Sequence, residues 1–320
     1  MAVLVTGGAG YIGSHVCIYL KSKGEEVIVV DNLSTGNKKN LVADHFYEID
    51  IRDTQVMIDI MKKHKISGVI HFAAFSLVGV SMKEPYEYYD NNLVGTLSLL
   101  KAMKETEIKN IVFSSTAATY GEPENIPIQE SDKTNPTNPY GETKLAMEKM
   151  MKWFDKAYGI KYVALRYFNA AGASKEGNLG ELHEPETHLI PLVLQVPLGK
   201  RESISIFGDD YDTPDGTAVR DYIHVLDLAT AHYLSLKYLL EGNKSDIFNL
   251  GNGSGFSVSE VIEVARKVTG HPIPAEIAER REGDPAVLVA SSEKASRILS
   301  WNPEHSSLTE IIEDAWNFYK

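Results

Sequence analysis

The segment Thr6-Gly7-Gly8-Ala9-Gly10-Tyr11-Ile12-Gly13 constrains this chain more than any other. It follows an apolar run, Ala2 to Val5, and precedes a stretch of helical period, Tyr11 to Lys23, that stops at Gly24. The pattern predicts strand, tight turn and helix. Gly7 and Gly10 let the backbone turn sharply and approach a pyrophosphate. Gly13 lets helix and strand pack closely, and the helix N-terminus offers free N–H groups to the anion. A second strand, Val27 to Val30, ends in Asp31, whose carboxylate can accept both hydroxyls of an adenine ribose and would repel a 2′-phosphate. The expected cofactor is therefore NAD rather than NADP, with Lys38 and Lys39 just downstream as the counter-signal.

Short β-rich runs alternate with helical ones through the first half: Phe46 to Ile49, Gly68 to Phe72, Asn110 to Ser114 and Lys161 to Arg166. Such alternation predicts an α/β protein built on a doubly wound parallel sheet of Rossmann type. Beyond about residue 170 the pattern changes. Gly172 to Pro185 reads as loop, followed by a strand at Ser203 to Phe207, a helix at Val225 to Leu240 and a strand at Ile247 to Leu250. Helices are expected near Ser257 to Thr269 and Leu308 to Tyr319. The expectation is a cofactor domain over 1–170, a smaller α/β substrate domain over 171–320, and a segment near 223–250 that packs back on the first.

A chain of 320 residues, 43% apolar and 24% charged, can bury a substantial core. The single cysteine, Cys17, can form no internal disulfide, which fits a reducing cytoplasm. The opening strand leaves no room for a signal peptide, and no long uncharged apolar run is present. A net charge of −12 argues against nucleic acid or an anionic membrane as partner. Any anionic substrate has to be held by a few local arginines against the overall field.

The second informative motif is Tyr140-Gly141-Glu142-Thr143-Lys144. Asn138-Pro139 suits a helix start, so Tyr140 and Lys144, at i and i+4, share one face. An ammonium about 6 Å from the phenol, at an effective dielectric near 20, favours phenolate by roughly 2.8 kcal/mol, on the order of two pKa units. Desolvation opposes it, and the expectation is a tyrosine that titrates near neutrality. Ser114-Ser115-Thr116, at the end of a strand, supplies hydroxyls that can donate to a sugar oxygen while the tyrosine exchanges its proton.

The glycine turn, Asp31, His71-Phe72-Ala73-Ala74, Tyr89-Asp90-Asn91-Asn92, Ser114-Ser115-Thr116, Tyr140-x-x-x-Lys144 and Arg166-Tyr167-Phe168-Asn169 together resemble the extended short-chain dehydrogenase/reductase superfamily, and within it the UDP-hexose 4-epimerases. The resemblance covers nearly the whole chain. It implies interconversion of UDP-glucose and UDP-galactose: hydride passes from sugar carbon-4 to tightly bound NAD, the 4-keto sugar turns over, and hydride returns to the opposite face. Carried over by position, Gly7, Gly10, Tyr11, Ile12, Gly13, Asp31, Asn32, Asp50, Ile51, Phe72, Ala73, Ala74, Asn91, Ser114, Tyr140, Lys144 and Tyr167 match cofactor-contacting positions. Tyr140, Lys144 and Thr116 match the catalytic group. Thr116, Tyr140, Asn169, Leu189, Phe207, Arg220, Tyr222, Arg281, Asp284 and Leu288 match the substrate site, with Phe207 in the uracil region and Leu288 at the sugar pocket. Two departures stand out: Thr116 replaces a common serine and keeps the hydroxyl, and Ser76 stands where some relatives carry a lysine against the cofactor.

Arg220 and Arg281 can each present a planar fork to a diphosphate, or can pair with Asp221 or Asp284. Histidines 71, 183, 188, 224 and 232 show no metal spacing, so no catalytic metal is expected. The alternatives are a nucleotide-sugar 4,6-dehydratase, a reductase with exchanging NAD(P), or a non-enzymatic NAD-binding regulator. The dehydratase pattern places Thr-Asp-Glu where this chain has Ser115-Thr116-Ala117, and a regulator would be expected to lack the tyrosine or lysine. The stretches 91–104 and 145–154 carry apolar residues on more than one side, and the family pairs these helices, so a homodimer is expected.

Overall fold

In the computed structural model, which describes residues 1–281 and 284–320, seven parallel strands form the central sheet. They are β1 (Ala2–Thr6), β2 (Glu26–Asp31), β3 (His45–Glu48), β4 (Gly68–His71), β5 (Asn110–Thr116), β6 (Lys161–Tyr167) and β7 (Asp246–Leu250). Their spatial order is β7-β6-β5-β4-β1-β2-β3, so the chain reverses its direction of winding between β1 and β4. In an open parallel sheet the crevice outside the strands' carboxyl ends at such a reversal is where ligands bind.

Among the described residues, the seven helices longer than about two turns are α1 (Tyr11–Ser22), α2 (Thr54–His64), α3 (Gly95–Glu105), α4 (Pro139–Tyr158), α5 (Val225–Leu240), α6 (Val258–Thr269) and α7 (Leu308–Tyr319). The two-residue period of the strands sends alternate side chains to opposite faces. Leu4, Ile28, Val30, Ile111 and Phe113 meet α2, α3 and α4, while Val3, Val5, Val27, Val29 and Val112 meet α1 and α5. Both faces are covered, which is why these strands read as continuous apolar runs.

The chain returns to this second layer with α5 and β7, and again with Ala295, Leu299 and Trp301. A third core is separate from the sheet. It gathers Ile190, Val193, Ile204, Ile206, Tyr222, Val261, Ile262, Ile311 and Ile312, and is held by a short parallel pair, 204–207 with 275–278. Beside it, Val219–Arg220 pairs antiparallel with Phe256–Ser257 and parallel with Val287–Leu288.

Candidate active site

Strands β1 to β6 bring their carboxyl ends to one cleft of about 1270 Å³, and all the residues assigned above to cofactor or substrate line it. Ser76, at the departure noted above, is exposed on the same wall.

The floor is the glycine turn. Gly7 has φ +74°, and a Cβ there would lie 2.6 Å from the amide nitrogen of Ala73; a Cβ on Gly13 would lie 2.3 Å from the carbonyl oxygen of Gly7. Gly10 precedes α1 with ordinary extended backbone, and nothing acidic occupies the helix's first turn, so its free N–H groups suit an anion. Tyr11 sends its hydroxyl to the carbonyl of Gly172 at 2.7 Å, which ties the helix to the loop beyond β6.

Asp31 ends β2 and accepts from the amides of Ala9 (3.0 Å) and Leu33 (2.8 Å), while burial raises its pKa against those bonds. Asn32 donates to Asp50 at 3.0 Å. The fork of Arg52 holds Asp50 down to about 2, so this carboxylate stays charged. Lys38 pairs with Glu48 at 2.7 Å, and neither Lys38 nor Lys39 lines the cleft. The counter-signal to NAD therefore does not reach the cofactor pocket.

The reacting end joins β5 to α4. The Asn138 side chain accepts from the amide of Gly141 at 2.9 Å, and Pro139 opens the helix. Gly141 lies against the turn after β5, where a Cβ would stand 2.6 Å from the carbonyl oxygen of Ala118. That close approach seats Tyr140 beside Thr116, whose hydroxyl draws the tyrosine's pKa back down against the larger effect of burial, which raises it. Lys144 lies with its Nζ 5.9 Å from the centre of the Tyr140 ring and donates to the carbonyl of Ser114 at 2.8 Å.

Burial brings Lys144 down to about 7, with Glu148 pulling the other way. The near-neutral titration expected of Tyr140 thus falls on Lys144. Among the protein's own groups, desolvation acts on both partners and favours both neutral forms. Ser114 bonds to Tyr167, but Ser115 turns to the opposite face and donates to Glu148, so only Ser114 and Thr116 of the hydroxyl run face the cleft.

At the far end, Arg220 pairs with Asp284 and donates to the carbonyl of Val219 at 2.7 Å. The register sets Leu288 opposite Arg220. The guanidinium of Arg281 stacks on Phe207 at 4.1 Å. Asp221 is no partner of either arginine. It is fully buried, accepts from the amides of Asn252 (2.8 Å) and Ala290 (3.1 Å), and is pushed up to about 6 by burial. Glu282 and Gly283, which belong to the same sequence segment as Arg281 and Asp284, lie outside the described residues.

Residues 3–251 match the NAD dependent epimerase/dehydratase family. The chain belongs to that family. Over its whole length it is 64% identical to the UDP-glucose 4-epimerase of Halalkalibacterium halodurans, of which it covers 96%. It is similar to a crystal structure of a UDP-glucose 4-epimerase (55% identity, TM-score 0.98, covering 100% of this chain and 97% of that one). It is also similar to the UDP-glucose 4-epimerase of Bifidobacterium longum in complex with NAD+ and UDP (42% identity, TM-score 0.93, 99% and 98% covered).

NAD is the cofactor of this epimerase/dehydratase, and the cleft fits it. Gly7 and Gly13 allow no side chain, the α1 N-terminus opens onto the cleft, and a buried carboxylate stands at the end of β2.

Sequence reasoning missed the layer that supports this epimerase/dehydratase site. Glu148, one turn after Lys144, makes a two-bond pair with Arg166 (2.9 and 2.6 Å), both buried, with the Tyr120 ring 4.8 Å from the guanidinium. The signal was present: Lys144 and Glu148 are spaced i, i+4, and Arg166 ends an apolar strand. His71 is buried between the hydroxyls of Thr6 (2.7 Å) and Thr96 (3.0 Å) and held neutral, at about 3. The turn 89–94 is π-helical, and Asn92 within it bonds both backbone groups of Phe75 and the Thr143 hydroxyl. No local spacing announces the partners of His71 or Asn92. The histidines were also read without partners, yet His183 and His188 meet Glu181 and Glu186 on the cleft wall.

Proposed function

We propose that this chain inverts the carbon-4 hydroxyl of UDP-hexoses, interconverting UDP-glucose and UDP-galactose, in a cleft whose NAD half stands on 1–170 with 223–250 packed back on it and whose sugar-nucleotide half stands on 171–320. The observation that carries the reading is the junction of β5 and α4, where Thr116, Tyr140 and Lys144 converge at the open end of the glycine turn. Bound NAD supplies a hydride acceptor at carbon-4 and, once reduced, the donor for the opposite face. Tyr140 removes the hydroxyl proton as the ketone forms and returns it when the alcohol is restored. Thr116 donates to the same oxygen, and Lys144 favours the phenolate.

Arg220 and Arg281 grip the diphosphate, with Asp284 orienting the Arg220 fork and Phe207 offering its face to the uracil. Asn169, Leu189, Tyr222 and Leu288 enclose the hexose. Firm anchoring at the nucleotide and looser, largely uncharged walls at the sugar let a 4-keto ring turn while its handle stays in place. Gly7, Gly10, Tyr11, Ile12 and Gly13 cradle the cofactor's diphosphate, and Asp31 takes the adenine ribose. The remaining positions assigned to the cofactor, Asn32, Asp50, Ile51, Phe72, Ala73, Ala74, Asn91, Ser114 and Tyr167, complete that wall.

The enzyme works in the cytoplasm as a homodimer, paired through the face that exposes Tyr89, Val94, Leu97 and Trp153. No helix among the described residues is long and apolar enough to cross a membrane. The deciding experiment is conversion of UDP-galactose to UDP-glucose by the purified protein without added reductant. Release of a 4-keto-6-deoxy product, or dependence on added NADH, would replace this reading with the dehydratase or the reductase.

A further inference from the structure

The loop between β6 and the short helix 189–194 places four metal-ligating side chains together. Glu181, His183, Glu186 and His188 each turn one donor atom inward, all within 4.8 Å of one another. Both imidazoles approach through Nδ1. His183 Nδ1 lies 3.1 Å from Glu181 Oε1 and 3.9 Å from Glu186 Oε2, and His188 Nδ1 contacts Glu181 Oε1 and lies 4.0 Å from Glu186 Oε1.

A tetrahedral ion with bonds of about 2.0–2.1 Å has donor–donor edges of about 3.3–3.4 Å, and the two edges from His183 Nδ1, 3.1 Å to Glu181 Oε1 and 3.9 Å to Glu186 Oε2, lie on either side of that value. The second oxygen of Glu186 is already in use: it accepts from the amides of Thr187 (2.7 Å) and His188 (2.8 Å), leaving Oε2 toward the cluster. His183 Nδ1 is buried yet makes no hydrogen bond. The two carboxylates are almost wholly withdrawn from water, with side-chain exposures of 4% for Glu181 and 9% for Glu186. Two adjacent buried carboxylates repel each other unless a cation joins them.

We propose that Glu181, His183, Glu186 and His188 bind one divalent transition-metal ion, zinc by donor chemistry, in the wall of the cleft. Two imidazole nitrogens and two carboxylate oxygens suit a borderline ion in four-coordination, and the nitrogens select against magnesium or calcium. The charges match: two carboxylates and two neutral imidazoles carry −2. The site is structural, since all four positions are filled by protein. It ties down a loop whose Glu181 carbonyl receives the Tyr319 hydroxyl at 2.8 Å and whose end leads directly into Leu189. The other His/Glu grouping, Glu26 with His45 and His64, offers three donors, two of them exposed, and the Nε2 of His64 is bonded to Tyr47.

The test uses the full chain with its NAD, free of any histidine tag, dialysed against Zn2+ and then buffer, with metal per chain measured by emission spectroscopy. About one zinc per chain is expected. It should be lost in His188→Ala and Glu181→Gln and kept in His45→Ala, and chelation should lower the melting temperature of the wild type but not of His188→Ala. Should His188→Ala fail to fold, Co2+ added to metal-free wild type decides: an intense tetrahedral visible spectrum that Zn2+ abolishes supports the site. Wild-type protein without stoichiometric zinc, zinc that survives His188→Ala, or a weak octahedral Co2+ spectrum would overturn it, leaving an imidazolium–carboxylate cluster.

Discussion

Replacing Lys144 with alanine removes the cation that shares a helix face with Tyr140, and its effect can be worked from the geometry. Taking the 5.9 Å from Nζ to the centre of the Tyr140 ring as the charge separation, with an effective dielectric of about 20, the attraction between ammonium and phenolate is about 2.8 kcal/mol, on the order of two pKa units. Linkage makes the effect mutual: the phenolate holds the lysine's proton by the same amount, so Lys144, near 7 beside a neutral phenol, keeps its charge well above that once Tyr140 ionises.

The active form needs phenolate, which exists above the tyrosine's pKa. Losing the cation raises that pKa, so at any fixed pH less base remains. The acidic limb of the kcat/KM profile for UDP-galactose should move up by about two units, and turnover at neutral pH should fall by on the order of 10²-fold. The assay is UDP-glucose formation from pH 5.5 to 9.5, with retained NAD measured by absorbance to correct for cofactor loss. An acidic limb that does not move, in a variant still carrying NAD, would show that Lys144 does not tune the base.

Tyr140→Phe should retain NAD and melt close to wild type while losing about 10²- to 10⁴-fold in turnover; near-normal turnover would remove Tyr140 from the proton path. Leu288→Tyr should depress activity on UDP-N-acetylhexosamines while sparing the plain hexoses, because the added ring occupies the volume the acetamido group needs; equal losses would make Leu288 a packing residue. Light scattering should give twice the 35.5 kDa chain mass at micromolar concentration, and Leu97→Glu should halve it; a wild-type monomer would refute the dimer. Burial lowers His71 and His224 to about 3 and His15 and His232 to about 4, so the unfolded chain binds more protons below about pH 6.5 and stability is lost as pH falls. Each costs on the order of 2–3 kcal/mol at pH 4.5, and the melting temperature should drop steeply between pH 6.5 and 4.5; a flat profile would mean these rings protonate in the folded state.

What could be read in advance is what local chemistry writes in one stretch of chain. The glycine turn, Asp31 and the Tyr140–Lys144 pair each depend on residues within a few positions of one another, and α5 and α7 run over the residues their apolar period marked. Strand ends moved by one or two residues, as at Thr116 and Tyr167, where hydroxyl residues continue a ladder they do not advertise. Contacts joining distant segments stayed hidden: Ser115 and Arg166 against Glu148, Tyr11 against Gly172, and Arg220 choosing Asp284 over its neighbour Asp221. The helical excess of apolar residues was also ambiguous. Met147 and Met151 are buried within the chain, while Leu97 and Trp153 are exposed on the single chain.

The Glu148–Arg166 pair beneath Lys144 limits how this site can drift over generations. Losing either partner strands a buried charge at a cost of about 3–5 kcal/mol, a large part of the margin by which most folds persist. Losing both to apolar residues of similar volume is far milder for the fold. That double change would nevertheless remove the carboxylate that helps Lys144 keep its proton. The pair is thus guarded twice: by epistasis, which closes the single-step routes, and by function, which penalises the destination.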